Sequence, residues 1–464
     1  MVNKTSDSKH TTKVYDVIIV GAGPAGLFCA NEISKKDKNL TILIIDKGNL
    51  VENRKKNEVM MGFGGAGTFS DGKLHFTPVL SHEKMFHLYS KEEYQKYLDY
   101  VEAEFISLGV PEDYYPKNLK DAQELVDKAE RNNIKLFIRK TIHVGTDKLG
   151  PIIKKIQDQL KGNKNITLLP KTEVLDLIVN KKQVTGVIIT GNKKIQAKRV
   201  VCAPGRYNAS WIEKITDKYN IKKVFDKVEV GVRVEFPSSI NSLHSEQMYE
   251  TIYYMYTPTY DDVVRTFCPC PKGYVALENY EDYVCVNGYS NSNNDGVNSN
   301  FALVVEINLT APLESTRKYA EFIAKGVTLI GAGSPIVQRY KDLKTGRRST
   351  VDRIKNAHIT PSLKSAVPGD IGMAMPYRIT KDLIEGIEML SKILPGLNGD
   401  STFLYAPEVK FRSNKINTNK YLETEISDLY MIGDGAGVSG NIVGAAISGV
   451  VCAEGILKKD KKKK

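Results

Sequence analysis

The sequence predicts an α/β protein in which a parallel-sheet domain is interrupted by a second, α+β domain. Two short β-branched runs, residues 14–20 (VYDVIIV) and 40–46 (LTILIID), predict buried strands. A glycine turn and a helical stretch at residues 27–35 join them as a βαβ unit. From about residue 208 to 405 the composition changes to tyrosine-rich strands and Asn/Ser-rich loops. We therefore expect one discontinuous parallel-sheet domain that carries an insertion.

The other segments are assigned from their apolar periodicity and their turn residues. Polar helical periodicity covers 81–133; strands are expected at 135–139, 166–169, 199–205, 228–236, 301–307 and 429–432, a hairpin at 172–189, and helices near 147–161 and at 440–457. The predicted domains are a disordered head at 1–10; the first domain at 11–80, 134–210 and 405–457; a helical insertion at 81–133; an inserted substrate domain at 211–404; and a basic disordered tail at 458–464.

Composition and charge exclude several classes of protein. Hydrophobic residues make up 41% and charged residues 26% of the chain, which is typical of a globular protein and excludes a wholly disordered chain or a multispan membrane protein. The net charge is +12, but the last seven residues contribute +5 and the first thirteen +2. The remaining +5 does not predict a basic patch for nucleic acid.

Cysteine usage and apolar runs bear on location. Six cysteines in 464 residues are too sparse for a disulfide framework, which favours a reducing, cytoplasmic location. The polar first thirteen residues contain no apolar core for a signal peptide. The uncharged run at residues 435–453 approaches the length of a bilayer span, but Asp434 and Glu454 bracket it and it contains polar residues and glycines. We expect a buried helix packed against a cofactor.

A first chemical motif is GAGPAG at residues 21–26, between the first strand and its helix. Gly21 permits the tight turn, Gly23 lets the backbone approach a pyrophosphate, and Gly26 allows close packing of helix on strand. The helix N-terminus presents free N–H groups to the diphosphate. Asp46 ends the second strand, where a carboxylate can accept a hydrogen bond from a ribose hydroxyl. This arrangement predicts a Rossmann-like dinucleotide site.

A second motif, LYMIGDGAG at residues 429–437, places Asp434 in a glycine turn between a strand and a small-residue helix. An aspartate there can accept hydrogen bonds from a polyol, while the helix N-terminus faces phosphate or a flavin ring edge. The two motifs together resemble the glutathione-reductase-type FAD-binding fold, although Asp46 stands where most of that superfamily has Glu. The resemblance implies that FAD is the cofactor.

A glycine-rich loop at residues 62–74 (GFGGAGTFSDGKL) follows the second strand. Four glycines in six residues predict a close approach to a ligand, and their N–H groups can form an anion nest. Phe63, Phe69 and Leu74 argue against a flexible linker.

With this loop, three further segments carry a narrower resemblance. Residues 143–149 (HVGTDKL), 265–270 (RTFCPC) and 287–290 (NGYS) are similar to the uncharacterised FAD-dependent dehydrogenases, a family of bacterial and archaeal flavoproteins. The resemblance extends from Tyr15 to about Ile456, and the chain departs from the family at residues 408–414 (EVKFRSN). The motifs and the resemblance imply this set of FAD-binding residues: Gly21, Gly23, Pro24, Ala25, Gly26, Asp46, Lys47, Gly64, Gly65, Gly67, Thr68, Ser70, Asp71, Gly72, Lys73, Val174, Pro204, Gly205, Gly433, Asp434, Gly440 and Ile442.

The sequence does not single out a catalytic residue, and five candidates stay open: Lys73, His143, Arg265, Cys268 and Cys270. A cation at Lys73 could stabilise reduced flavin. Cys268-Pro269-Cys270 could exchange electrons or bind metal, but its spacing matches neither CxxxxC nor CxxC, which favours packing or substrate lining. His143 precedes a predicted helix cap, so a capping or core role competes with catalysis. No metal site is predicted.

These inferences predict an FAD-dependent oxidoreductase, a dehydrogenase or reductase that acts on an unidentified small molecule by hydride transfer. No second GxGxxG follows a strand in the inserted domain, so the sequence predicts no dedicated NAD(P)H domain. NAD(P)H stays open as the electron donor. The alternatives are a flavin-dependent RNA-modifying or RNA-binding protein, suggested by the basic tail, and a flavoprotein that senses without turnover. The oligomeric state is not predicted.

Overall fold

The computed structural model describes residues 13–55, 58–224, 227–293, 295–309, 316–410 and 414–461. The predicted disordered head at residues 1–10 and the last three residues of the predicted tail lie outside these ranges.

The α-helices differ in length from five to twenty residues. In chain order they are α1 (Pro24–Lys36), α2 (Lys91–Ser107), α3 (Leu119–Glu130), α4 (Thr146–Lys161), α5 (Ala209–Lys218), α6 (Ser242–Met248), α7 (Thr316–Ile330), α8 (Tyr340–Lys344), α9 (Val351–Lys355), α10 (Tyr377–Leu390) and α11 (Ile442–Lys461).

The strands fall into two groups along the chain. Those of the first group are β1 (Val14–Tyr15), β2 (Val17–Val20), β3 (Ile42–Ile45), β4 (Lys73–His75), β5 (Tyr114–Tyr115), β6 (Lys135–Leu136), β7 (Thr141–His143), β8 (Ile166–Leu169), β9 (Val174–Asn180), β10 (Gln183–Ile189), β11 (Lys193–Ala197) and β12 (Val200–Cys202). Those of the second group are β13 (Lys223–Val224), β14 (Val228–Pro237), β15 (Tyr253–Tyr256), β16 (Val263–Cys270), β17 (Tyr274–Asn279), β18 (Val284–Tyr289), β19 (Asn298–Ile307), β20 (Ile336–Arg339), β21 (Val367–Pro368), β22 (Phe403–Lys410), β23 (Lys415–Ile416) and β24 (Leu429–Met431).

A parallel five-stranded sheet confirms the predicted α/β class. Its strand order is β24-β12-β2-β3-β8, and each strand pairs parallel with its neighbours. The strands β2, β3, β12 and β24 are wholly buried, as expected for a sheet covered on both faces. Helices α1 and α11 pack closely on each other, and the absence of a side chain at Gly449 allows this. A Cβ added there would lie 2.2 Å from the carbonyl oxygen of Ala25.

Two smaller sheets flank the parallel one. The order β1-β11-β10-β9 includes the predicted hairpin, whose strands β9 and β10 pair antiparallel. The order β4-β7-β5 places Lys73 opposite His143. This second sheet therefore brings the end of the glycine-rich loop next to the start of α4.

An eight-stranded sheet forms the second half of the molecule, in the order β21-β20-β22-β14-β19-β16-β15-β6. Its long central strands pair antiparallel, and β14 is buried along nearly its whole length because helices α7 and α10 cover one face. The hairpin of β17 and β18 packs beside β22 and β16. This mixed architecture agrees with the α+β character expected for the inserted segment.

One predicted strand belongs to a different sheet from the one expected. The sequence predicts residues 135–139 as a strand of the first domain, but only Lys135–Leu136 is a strand, and it pairs with Tyr253–Tyr254 at the edge of the large sheet. The local pattern could not show this because the partner strand lies more than a hundred residues away.

The predicted disorder of the tail is wrong for residues 458–461, which continue α11. The Lys459 Nζ lies 2.6 Å from Glu423 and 2.7 Å from Asp428, and the Lys458 Nζ lies 2.6 Å from Glu454. These acids stabilise cations at a helix C-terminus, where the helix dipole favours positive charge.

Candidate functional site

A cleft opens at the carboxyl ends of the parallel strands. Val20 ends β2, Ile45 ends β3, Ala203 follows β12, and Gly433 follows β24, and all four line the cleft. Ligands of open α/β sheets bind at this edge. The opposite wall comes from the large sheet and the β17–β18 hairpin, through Phe267, Cys268, Glu278, Asn287, Gly288, Val409 and Lys410.

The fold itself requires the first and third glycines of GAGPAG. Gly21 has a φ of +100°, and an added Cβ would lie 2.2 Å from the carbonyl oxygen of Ala203. An added Cβ at Gly26 would lie 2.1 Å from the carbonyl oxygen of Gly21. Both positions therefore exclude any side chain for reasons of packing alone.

Gly23 is different, because the protein around it leaves space. Its φ is −72°, and an added Cβ would meet nothing closer than the Cα of Gly65, at 3.9 Å. Pro24 and Ala25 begin α1 beside it and line the cleft, and the first turn of α1 has no side-chain cap. The open space and the uncapped helix N-terminus fit a diphosphate.

Asp46 connects three backbone segments. Its Oδ2 accepts a hydrogen bond from the amide of Ala22 at 2.9 Å, and its Oδ1 accepts from Gly48 and Gly62, both at 2.9 Å. A carboxylate has about four acceptor positions, so capacity remains for a ribose hydroxyl in the cleft that Asp46 lines. The shorter aspartate thus also anchors the glycine-rich loop to the first motif.

Arg54 clamps the glycine-rich loop from behind. Its Nη1 donates to the carbonyl oxygens of Phe63 at 3.0 Å and Gly65 at 2.8 Å, and to the Thr68 hydroxyl at 3.0 Å. Burial lowers the pKa of Arg54 to about 10, which leaves the guanidinium charged at neutral pH. These hydrogen bonds fix the conformation of the glycine-rich loop.

The predicted residues of this loop divide into two groups. An added Cβ at Gly72 would lie 2.4 Å from the backbone of Gly145, so Gly72 packs the loop against the start of α4. Those that line the cleft are Gly65, Gly67, Ser70, Asp71 and Lys73; those that lie behind its surface are Gly64, Thr68 and Gly72.

The second motif also faces the cleft. The Asp434 Oδ2 lies 3.3 Å from the Arg206 Nε, and its Oδ1 accepts a hydrogen bond from the Ser439 hydroxyl. Gly433 has a φ of +74°, and its amide donates to the Ser448 hydroxyl at 3.0 Å. Asp434 is thus held at the cleft surface with a cation beside it.

The N-terminus of α11 points into the same cleft, which Gly440, Asn441 and Ile442 line. The Asn441 Oδ1 accepts from the amide of Gly444 at 2.7 Å, and its Nδ2 lies 3.1 Å from the His82 Nε2. Burial lowers the pKa of His82 to about 3, so a neutral imidazole can accept from the amide. The helix N-terminus is therefore fixed in direction.

Aromatic and cationic side chains line the far end of the cleft. The Lys47 Nζ donates to Asn208 Oδ1 at 2.8 Å and lies 4.5 Å from the Tyr207 ring centroid. Trp211 lines the same end and donates from its indole to the carbonyl of Leu175 at 3.1 Å. The predicted residues Val174, Pro204 and Gly205 also line this end.

Lys73 carries a buried positive charge. Its side chain is 1% exposed, its Nζ lies 2.7 Å from Asp71 Oδ2, and it donates to the carbonyl of Pro269 at 2.7 Å. Burial alone would lower the pKa of Lys73, but Asp71 and Glu250 hold it well above its usual value. The ammonium is therefore permanent at neutral pH.

Glu250 completes this buried ion cluster, which comprises Asp71, Lys73, His75, Arg139 and Glu250. The Glu250 Oε2 accepts a hydrogen bond from Arg139 Nη1 at 2.7 Å and lies 3.1 Å from His75 Nε2. Burial, with the charges of Arg139 and Lys73, lowers the pKa of His75 well below its usual value. The imidazole is therefore neutral, and all five side chains line the cleft.

The Cys268-Pro269-Cys270 segment forms a bulge in β16. The register with β19 shifts between Phe267 and Cys270, and Cys268 has a φ of +45°. The Arg233 Nη2 donates to the Cys268 carbonyl at 2.6 Å, so two buried cations hold the bulge by its carbonyl groups. Cys268 lines the cleft, whereas Cys270 is buried and accepts from Arg233 at 3.3 Å.

Both thiols of the bulge are free and protonated at neutral pH. Burial raises the pKa of Cys268 to about 12 and also raises that of Cys270. All six cysteines of the chain lie in the described residues, and none forms a disulfide.

Besides Cys270, two further catalytic candidates do not line the cleft. His143 stacks on the Tyr249 ring at 4.2 Å, and burial lowers its pKa to about 4. Arg265 donates from Nε and Nη2 to Glu229 at 2.5 and 2.6 Å, in a buried bidentate pair. The surroundings of both residues therefore favour structural roles.

Two family models match consecutive parts of the chain. Residues 15–224 match the family described as pyridine nucleotide-disulphide oxidoreductase, and residues 227–411 match the family described as FAD-dependent protein, C-terminal domain-like. Both matched segments contribute residues to the cleft, and residues between 433 and 445, outside the two matches, complete its lining. The chain is an FAD-dependent oxidoreductase.

Other proteins resemble this oxidoreductase more distantly. It is 26% identical over 482 residues to an uncharacterized protein of Clostridium beijerinckii, and the match covers 95% of this chain and 80% of that protein. Among solved structures, an E. coli quinol fumarate reductase is 13% identical with a TM-score of 0.47, and covers 98% of this chain and 71% of its own. An Aspergillus oryzae formate oxidase is 12% identical with a TM-score of 0.47, and covers 97% of this chain and 100% of its own.

FAD is the cofactor of the oxidoreductase, and the residues present fit it. The empty space at Gly23, the uncapped first turn of α1 and the directed N-terminus of α11 suit a dinucleotide that carries a flavin ring. Among the described residues, no group of three or more His, Cys, Asp or Glu side chains is arranged to hold a metal ion. Within those same ranges, no helix combines the length and the apolar character needed to cross a bilayer.

Sequence reasoning missed several residues of the oxidoreductase's cleft. Arg139, Arg206 and Glu250 line the cleft but lie in segments without a motif, as does Arg54, which binds the glycine-rich loop from outside the cleft. Asn441 did have a signal, because an asparagine directly before a small-residue helix is a typical N-cap.

Proposed function

We propose that the protein oxidises or reduces a small organic molecule by hydride transfer through FAD, bound in the glutathione-reductase manner. The observation that carries this proposal is the cleft, because the wall that carries the glycine motifs and the wall from the large sheet line it together. FAD supplies the hydride chemistry at its ring when bound. The two walls then orient a substrate against that ring and exclude water.

The proposal assigns the predicted cofactor residues to parts of FAD. The first turn of α1 and the glycine-rich loop bind the diphosphate, the Lys47 end binds adenosine, and Asp434 binds the ribityl chain. Arg206, which lies 3.3 Å from Asp434, adds a cation near the diphosphate. The domain boundaries and the cytoplasmic location predicted above form part of the same proposal.

Lys73 is the electrostatic group of the proposed site. Its permanent charge at the cleft wall stabilises negative charge that develops when the ring accepts electrons. The buried ion cluster holds the ammonium in place, because Asp71 and the Pro269 carbonyl both bind it. Lys73 thus acts at the cofactor, whereas Glu250 and Arg139 are positioning residues.

The first test identifies the flavin. We expect purified protein to be yellow and to release FAD, not FMN, on denaturation, because FMN lacks the adenosine that the Lys47 end would bind. Chromatography of the released flavin measures this. Release of FMN, or a colourless protein that does not take up added FAD, would contradict the proposal.

The second test concerns the electron donor. Anaerobic bleaching of the flavin by a metabolite panel that includes NADH and NADPH identifies compounds that reduce the bound flavin. The RNA alternative finds no support in the comparisons. If RNA copurifies with the full chain but not with a tail-truncated one, only the tail binds it.

The thiols are expected to be dispensable for chemistry. A Cys268→Ser/Cys270→Ser variant should keep its flavin and reduce it within about tenfold of the parent rate, about 1.4 kcal/mol of barrier. The reason is that both thiols are protonated and that Arg233 already binds Cys270. Stopped-flow flavin reduction with a donor from the panel measures this. A loss beyond about 100-fold with FAD still bound would show that the thiols carry the chemistry.

A further inference from the structure

The substrate-domain wall of the cleft carries unbalanced buried charge. The Lys410 Nζ lies 2.5 Å from Glu408 Oε1, and the Arg233 Nη1 lies 3.9 Å from Glu408 Oε2. Glu408 and Arg233 are fully buried, and Lys410 is 8% exposed. Two cations therefore share one carboxylate, which leaves this trio with a net charge of about +1 in a low-dielectric environment.

Arg233 has donor capacity that the protein does not use. Its Nε donates to Asn300 at 2.7 Å and its Nη2 to the Cys268 carbonyl, but Nη1 has no hydrogen-bond partner among the described residues. Burial alone would lower the pKa of Arg233, but neighbouring acidic groups, among them Glu408, hold it above its usual value. A Cβ added at the cleft-lining Gly288 would lie 1.9 Å from Nη2, so the guanidinium lies directly behind the cleft wall.

Lys410 reaches the cleft itself, and its surroundings are apolar. It lines the cleft together with Val409 and Phe267, and its Nζ lies 5.2 Å from the Phe267 ring centroid. The other acid of this wall is Glu278, which is half-buried and accepts from Asn287 at 2.7 Å. Glu278 adds to Glu408 in holding the pKa of Lys410 above its usual value against the effect of burial, but it is more exposed than the buried trio of Arg233, Glu408 and Lys410.

Several other charged side chains that line the cleft have partners of opposite charge, whereas Lys47, at the far end, donates to the neutral Asn208. Arg206 lies 3.3 Å from Asp434, and the Arg317 Nε lies 2.6 Å from Glu321. The two cations of the buried ion cluster face its two carboxylates. Lys410 differs from these cations, because it shares its carboxylate partner, Glu408, with a second cation.

We infer that the substrate carries one carboxylate, which binds the Lys410 ammonium, and an apolar or aromatic portion that packs on Phe267 and Val409. This inference rests on the proposed function of the cleft. A single carboxylate neutralises the surplus charge, whereas a phosphate dianion would leave a buried negative charge. Arg233 acts from behind the wall as a positioning and electrostatic residue.

The test uses the FAD-loaded full chain and a matched pair of probes, benzoate and its neutral isostere benzamide. Titration of each probe is followed by the visible absorption spectrum of the flavin and by the unfolding temperature. We expect benzoate to shift both readouts and benzamide to bind at least about tenfold more weakly. Equal binding of the two probes, or no binding of benzoate, would overturn the inference.

Variants at Lys410 locate the binding group. Lys410→Met should weaken benzoate binding at least about tenfold and Lys410→Arg less than about threefold. Lys410→Met leaves Glu408 paired with Arg233, so we expect the fold to persist. Lys392→Met, at an exposed lysine outside the cleft, is the control. Unchanged benzoate affinity in Lys410→Met would contradict the assignment.

Failure of the proposed function can be distinguished from failure of this inference about the substrate. A protein that takes up no FAD contradicts the flavin assignment, but the rise in unfolding temperature with benzoate still decides whether Lys410 binds a carboxylate.

Discussion

A Gly23→Val variant is expected to fold but to bind FAD at least about 100-fold more weakly than the parent chain. The backbone of Gly23 is in an ordinary extended conformation, and an added Cβ would meet only the Cα of Gly65 at 3.9 Å. The valine methyl groups would instead fill the cleft space beside the first turn of α1, which the diphosphate needs. Flavin content after gel filtration and the unfolding temperature of the FAD-free protein measure the two parts of this expectation.

Gly26→Val is the matched control for this prediction. An added Cβ at Gly26 would lie 2.1 Å from the Gly21 carbonyl oxygen, so this variant should fail to fold rather than lose only the cofactor. If Gly23→Val kept stoichiometric FAD, the placement of the diphosphate would be wrong. If both variants unfolded alike, the open space at Gly23 would serve packing and not a ligand.

The second large effect is expected for Lys73→Met, which should lower the free energy of unfolding by about 3–5 kcal/mol. The substitution leaves the carboxylates of Asp71 and Glu250 buried with only Arg139 to balance them. Denaturant unfolding of the FAD-free protein measures the loss, so the effect is separate from any contribution of Lys73 to cofactor binding.

A double variant and an exposed control sharpen this test. Lys73→Met/Asp71→Asn removes both charges of the 2.7 Å pair and should recover part of the lost stability. Lys154→Met removes a lysine from an exposed pair with Asp158 and should change stability little. A Lys73→Met protein as stable as the parent would show that the buried ion cluster does not need this ammonium.

Local signals in the sequence were sufficient to predict the dinucleotide wall. The strand, glycine turn, helix and second strand around Gly21 lie within about 30 residues, so their spacing specifies their contacts. Asp434 could be added from the other end of the chain because a strand also feeds its glycine turn.

The ion cluster could not be predicted, because its members come together only through long-range pairing. Lys73 stood out beside the glycine-rich loop, but Glu250 and Arg139 come from distant segments without a motif. Cys268 stayed one of five open catalytic candidates, and its left-handed backbone depends on the bulge, which two buried cations hold by its carbonyl groups. Such buried cations have no local sequence signature, because the groups that they bind come from segments far away in the chain.

The strand pairing of Lys135–Leu136 limits how this enzyme can be recombined with its relatives. The chain enters the large sheet after Val224 and returns before Lys415, where β13 and β23 pair with each other. A chimera could be joined at β13 and β23, where the chain passes between the two halves of the molecule. The edge strand β6, however, comes from the other half of the chain. Exchange of residues 225–414 alone would leave β15 with a foreign or missing neighbour, and an unpaired sheet edge invites aggregation. A chimera that receives a new substrate wall must therefore match its partner at β13 and β23 and also at β6. Residues 135–136 have to be exchanged together with the rest of the large sheet.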